Sequence, residues 1–425
     1  MSQTLKISTP ERPAIAGGEK AKRTPYGSEK RYGEAELNEL REALEQGTLF
    51  YAYGKKTYQL ETEFAAWTGS KYAVACNSGT SAIHAACIAI GLSPGDEVIT
   101  SPITDMGTLV PILYQGAIPV FADLTPHGYT LDPASVASRI TPRTRAIIAV
   151  HLHGNACDLA ALRALCGRHA LALIEDCAQS LGATYQKPNT DSPRSVGTFG
   201  DLGCFSLNEF KHISCGDGGM VVTDEPELAR RARLGTDKCY DRMPGIGVRR
   251  PEFLANNYRM TELQAAVALA QLRKLDDIVA RRRAWCAGLS ARLEGTPGIA
   301  LPEPTPACSP SWWAYMLRVT PELGADADAM AAALKAEGTR FAAHYIGVPV
   351  YSYPIFRAHR AFERGSHPYE AHDYAASSCP VAEAILETGL MHSVNEAFTE
   401  TDADEVALAV RRAAAWLRAA GGPEH

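Results

Sequence analysis

At 425 residues the chain is too long for one compact core of ordinary size, so two or three structural units built around one large sheet are expected. Hydrophobic residues at 46% and charged residues at 21% make an ordinary globular composition and exclude a fibre or extended disorder. The formal charge of -6, with Lys and Arg scattered along the chain, gives no basic stripe for a phosphate backbone, so nucleic acid is not an expected partner.

The first 33 residues are polar, with Pro and Gly but no apolar core segment, and read as an N-terminal arm rather than a signal peptide. No run approaches the roughly 20 apolar residues of a membrane-spanning helix. Between residues 72 and 222 short apolar runs alternate with helical patterns, the signature of a mostly parallel α/β sheet covered on both faces. Seven strands are expected, at 73–76, 97–101, 119–122, 146–151, 171–175, 203–206 and 219–222, with helices among them at 80–90, 133–139 and 159–169. After Pro226 the pattern turns helical, with a break rich in Gly, Pro and Arg at 242–251 and then one long amphipathic helix over 261–293 that links two domains. Five prolines within 295–310 open a smaller C-terminal α/β unit, with a strand at 315–319 and helices at 327–337 and 403–419. The expected division is an arm (1–33), a large cofactor-binding domain (34–290) and a small C-terminal domain (291–425). Eleven cysteines contain no CxxC pair, which fits neither a zinc knuckle nor a disulfide framework; free thiols in a reducing cytoplasm are expected, and no metal.

Three elements carry chemistry. The apolar run ending in Glu175-Asp176-Cys177-Ala178-Gln179 places Asp176 at the carboxyl end of a strand, where ligands of parallel sheets bind. Taken alone, Asp176 serves equally well as a helix cap. A second short strand delivers Ser206, and Lys211 follows between Phe210 and Ile213 ahead of a glycine-rich turn, so that burial can make the amine nucleophilic. The third, Asn77-Ser78-Gly79-Thr80-Ser81, sits at a strand-to-helix junction whose free N–H groups favour a phosphate; a plain Ser/Thr cap reads the same way. Jointly they supply what pyridoxal 5'-phosphate needs: a phosphate cradle, a carboxylate that keeps the pyridine nitrogen protonated, and a lysine for the Schiff base. Lys211, once freed, is placed to carry the substrate's α-proton.

The segments SGT, EDCAQS, FSLNEFKHISCGDGG and NNYRMTELQAA, in this order and spacing, resemble the DegT/StrS family of sugar and cyclitol aminotransferases. The resemblance implies the fold type I architecture of the aspartate aminotransferase superfamily. It implies Lys211 as the Schiff-base lysine, Asp176 as partner of the pyridine nitrogen and Gln179 beside the ring and its 3' oxygen. Gly79, Thr80, Ser81 and Ser206 hold the phosphate, and Asn257 serves the phosphate site of a neighbouring subunit, which implies a homodimer with shared sites. The implied reaction moves an amino group from L-glutamine or L-glutamate to a keto sugar or keto cyclitol in aminosugar or antibiotic biosynthesis. The opening Ala14-Ile-Ala-Gly-Gly-Glu-Lys and the later Tyr53-Gly-Lys-Lys resemble the branch of cyclitol aminotransferases and aminohydroxybenzoate synthases more than the nucleotide-sugar branch. Asp105 departs from the pattern, since the family usually carries there an aromatic that stacks on the cofactor ring. Residues 187–195 read as a short insertion, and His344, Tyr345 and His392 as residues near the substrate or structural ones. Two rivals remain: a dehydratase or lyase using the same cofactor, which Asp105 keeps open although Lys211 argues against the dehydratase branch, and a cofactor-binding sensor without turnover. The sensor calls for a DNA-binding segment that the short polar N-terminus does not offer.

Overall fold

The computed structural model describes residues 12–188, 190–242, 250–365, 370 and 372–420. All seven expected strands form, each within two residues of its expected bounds: β1 (Tyr72–Cys76), β2 (Glu97–Thr100), β3 (Ile118–Phe121), β4 (Thr144–Val150), β5 (Ala172–Asp176), β6 (Leu202–Ser206) and β7 (Gly219–Thr223). They make one sheet in the order β1-β7-β6-β5-β4-β2-β3. β7 runs antiparallel to β1 and β6, and the remaining pairs are parallel. The near-continuous apolar text of β4 and β5 follows from burial on both faces, since apolar clusters cover the sheet above and below. The pairings Cys76↔Gly219, Ser206↔Gly219 and Val150↔Asp176 bring the carboxyl ends of β1, β4, β5 and β6 to one edge. Two helices start at that edge, α1 (Gly79–Ala89) after β1 and α2 (Met106–Tyr114) after β2.

The long helix expected over 261–293 is two helices, α3 (Glu262–Leu272) and α4 (Leu275–Leu293). The last turn of α3 tightens, with Lys274 N–H bonding the Gln271 carbonyl, and Asp276 and Asp277 then sit in the first turn of α4, where carboxylates complement the helix dipole. Apolar periodicity runs on through the break, so pattern alone joins the two. α4 runs from one apolar cluster to another: Leu275, Ile278 and Val279 pack in the cluster under the large sheet, whereas Trp285, Leu289 and Leu293 pack in the C-terminal cluster.

That C-terminal cluster lies on a four-stranded antiparallel sheet of Ile299–Ala300, Ala314–Val319, Gly389–Ser393 and Ala342–Ala343, in that order, against helices Ala327–Ala336 and α5 (Glu400–Ala420). The end of the 187–195 insertion is not a free loop, because Arg194–Ser195 pairs with Thr184–Tyr185, which pairs with Cys308–Ser309. The Gly, Pro and Arg stretch expected at 242–251 lies mostly outside the described residues. All eleven cysteines are free. Among the described residues no helix is long and apolar enough to cross a membrane.

Candidate active site

A cleft of about 500 Å³ opens at the carboxyl edge of the sheet. Asp176, the last residue of β5, is buried at its floor. Its Oδ1 accepts the Ala178 N–H at 3.0 Å and its Oδ2 accepts the Thr108 hydroxyl at 2.7 Å. Thr108 stands in the first turn of α2, with its oxygen 2.6 Å from that of Thr104 one turn earlier. Burial pushes Asp176 above the usual carboxylate range, while the Thr108 and Ala178 donors and the Lys211 amine pull it back.

Lys211 reaches the same cleft from the irregular loop between β6 and β7. Burial lowers its pKa, against the carboxylates of Asp176 and Asp105, so a larger share of the amine is in its nucleophilic form than in water. Its Nζ lies 5.1 Å from the centroid of the Trp313 ring, and among the described residues no carboxylate or carbonyl bonds it. The loop that carries it is held from outside. Arg31 of the N-terminal arm donates to the carbonyls of Glu209, Lys211 (2.5 Å) and His212 (3.3 Å), and Trp313 Nε1–H donates to the Phe210 carbonyl at 2.8 Å.

The phosphate cradle is built by a close approach. Ser78 caps α1 by accepting the Ser81 N–H, which leaves the Gly79 and Thr80 N–H groups, first-turn donors with no partner inside the helix, for an anion. A Cβ on Gly79 would stand 2.7 Å from Ser206 Cβ, so glycine lets α1 and the end of β6 meet. Gln179 is pinned at both ends of its amide: Oε1 accepts the His153 N–H at 2.8 Å, and Nε2 donates to the Tyr345 hydroxyl at 2.9 Å.

Of the residues singled out in the sequence, Gly79, Thr80, Asp176, Gln179, Ser206 and Lys211 line this one cleft. Ser81 does not; its hydroxyl is spent on Asn77 Oδ1 (2.6 Å) and Ser78. Asn257 is exposed outside the cleft, its backbone bridged to Asp237. Tyr345 lines the cleft, whereas His344 turns away to the Leu386 carbonyl and Asp328. His392 is buried against Tyr26 in the C-terminal core and is structural. Thr108 and Trp313 were not legible as site residues. The i, i+4 spacing of Thr104 and Thr108 was the available signal for the first, and the second, in a strand entry of the other domain, gave none.

His151, Glu175 and Cys177 bring possible metal-ligand atoms within 4.8 Å of one another beneath the cleft. The lone pairs of Glu175 and His151 are already used: Glu175 accepts from the N–H groups of Gly197, Phe199 and Gly200 and bonds His151 Nε2, while His151 Nδ1 accepts the Cys157 N–H. The cluster braces the turn that enters β6.

The donors and acceptors of the cleft fit pyridoxal phosphate: a buried carboxylate for a ring nitrogen, an unbonded amine near it, and free helix N–H groups beside Ser206 for the phosphate. Comparison with known proteins agrees. The model of the DegT/DnrJ/EryC1/StrS aminotransferase family matches residues 30–411. The spore coat polysaccharide biosynthesis protein SpsC of Bacillus subtilis is 34% identical over 389 residues, covering 89% of this chain and 94% of that protein. GDP-perosamine synthase of Caulobacter vibrioides is 35% identical over 373 residues, covering 85% and 91%. The crystal structure of DesV from S. venezuelae matches with a TM-score of 0.77 at 34% identity, over 90% of this chain and 94% of that one. The chain therefore belongs to the DegT/DnrJ/EryC1/StrS aminotransferase family and is a fold type I enzyme whose cofactor is pyridoxal 5'-phosphate.

Proposed function

We propose that the enzyme moves an amino group from L-glutamine or L-glutamate to a keto sugar or keto cyclitol, acting as a homodimer with shared active sites. The observation that carries the reading is the convergence of Lys211, Asp176 and the N-terminus of α1 on one cleft. In it Lys211 attaches the cofactor through Nζ and, when an amino donor displaces it, carries the donor's α-proton. Asp176 holds the ring nitrogen, with Thr108 and Ala178 keeping the carboxylate oriented. Gly79, Thr80 and Ser206 bind the phosphate, Gln179 lies beside the ring, and Asn257 reaches the neighbouring subunit's phosphate. Bound pyridoxal phosphate supplies the electron sink for the bond broken at the donor's α-carbon. The unit 34–290 carries these groups, and 291–425 adds Trp313 and Tyr345. Within this class a nucleotide-linked acceptor has the support of the relative named for a GDP-linked sugar, against the lean toward cyclitols read from the N-terminus.

The visible spectrum tests the reading. Purified enzyme is expected to show the absorption band of lysine-bound cofactor and to lose it, in favour of a shorter-wavelength band, when L-glutamine or L-glutamate is added. Lys211→Ala is expected to abolish both the band and turnover. A Lys211→Ala protein that transaminates at the full rate sinks the assignment.

A further inference from the structure

Asp105 lines the cleft but has no part in holding the cofactor as described above. Its Oδ1 accepts the Gly107 N–H at 2.7 Å and so caps α2, which fixes the carboxylate in place; Oδ2 has no partner among the described residues. Tyr345 lines the same cleft with the opposite hydrogen-bonding sense. Because the His153 N–H occupies Gln179 Oε1, the group that meets Tyr345 is the Gln179 amide nitrogen, and the phenol oxygen accepts from it. The phenol proton is therefore left to point at a ligand. Burial pushes that phenol up to about 12, so it stays protonated and donating at neutral pH. Lys211 is the sole Lys or Arg among the described lining residues, and the cofactor engages it.

L-Glutamine and L-glutamate share their α-amino group, α-carboxylate and chain length, and differ at the side-chain end. A carboxamide offers one acceptor oxygen and an NH2 donor, whereas a carboxylate offers acceptors alone. The pair of one carboxylate acceptor and one phenol donor complements the carboxamide, with its NH2 on Asp105 and its oxygen on Tyr345. A γ-carboxylate would meet the like charge of Asp105. Building on the aminotransferase reading above, we propose that Asp105 and Tyr345 form the side-chain subsite for the amino donor and that Asp105 makes the enzyme select L-glutamine over L-glutamate.

The test follows the first half-reaction in the holoenzyme by stopped-flow loss of the bound-cofactor band, with L-glutamine and L-glutamate as separate donors. Asn caps a helix as well as Asp does, so Asp105→Asn removes the charge and keeps α2 capped. Wild type is expected to prefer L-glutamine, and Asp105→Asn to lower the glutamine-to-glutamate ratio of kcat/KM by about tenfold, chiefly by admitting glutamate. Tyr345→Phe is expected to raise KM for L-glutamine more than for L-glutamate. A wild type that prefers L-glutamate, or a ratio unmoved in Asp105→Asn, overturns the proposal while leaving the aminotransferase reading intact. A cofactor band that neither donor touches overturns both.

Discussion

Asp176 can hold a cationic ring nitrogen only while its carboxylate stays ionised in a buried place, and burial works against that. Thr108 is one of the groups that offset the burial, through a 2.7 Å hydrogen bond, and Thr104 in turn bonds Thr108. Thr108→Val keeps the shape and removes the donor. A hydrogen bond to a charged group is worth about 1.5 kcal/mol or more, so cofactor affinity is expected to fall about tenfold. The sign of the pH effect follows: losing a donor raises the Asp176 pKa further, and the acid limb of cofactor retention moves to higher pH. Thr108→Ser is expected to restore both, and cofactor release at a series of pH values reads them. Asp176, Ser206 and Lys211 could be read from the sequence because each has a chemical type tied to a local pattern, a strand end or a glycine turn. Thr108 and Trp313 act on those residues from elements far away in sequence, and no local pattern marks a residue whose role is to touch another.

The strands of the large sheet were legible because burial on both faces writes itself as short apolar runs bounded by Gly, Pro and Asp, and α1 because β1 hands over to it through Ser78 and Gly79. The break between α3 and α4 was not, since the residues at it are held by the arm and the first helices of the large unit: Gln271 and Lys274 donate to the Arg31 carbonyl and bond Glu36, and Arg273 bonds Glu39 and Glu63. The arm matters for the site in the same way. Its Arg31 holds the loop bearing Lys211 by the backbone, and Tyr32 bonds the Glu209 carboxylate of that loop at 2.7 Å. Arg31→Ala leaves three loop carbonyls, of Glu209, Lys211 and His212, without this donor. The expected loss is about 1.5–3 kcal/mol, part of it seen as a lower melting temperature and part as faster cofactor release. Arg31→Lys, with a single ammonium in place of the planar fork, is expected to recover only part of it. If cofactor release is unchanged in Arg31→Ala while the melting temperature falls, the arm stabilises the fold without positioning the lysine.

Tyr53, Phe210 and Leu254 are 80%, 78% and 94% exposed, large apolar side chains that the proposed homodimer is expected to cover. Phe210 is the residue before Lys211, and Leu254 lies three residues before Asn257. Asn257 itself is exposed and outside its own cleft, where its proposed role in a neighbour's site requires it to be. The proposed shared-site homodimer makes a sharp demand on hybrids. Lys211→Ala spoils the site whose lysine it removes, and Asn257→Ala spoils the site of the opposite subunit. A dimer formed from one of each carries both lesions in one site and neither in the other. Subunits of the two variants, each expected to be nearly inactive alone, should on dissociation and re-association in equal amounts recover roughly a quarter of wild-type activity, since half of random pairs are hybrids with one native site. If Asn257 instead serves the cleft of its own chain, every site in every hybrid contains one lesion, and the mixture stays as inactive as its components.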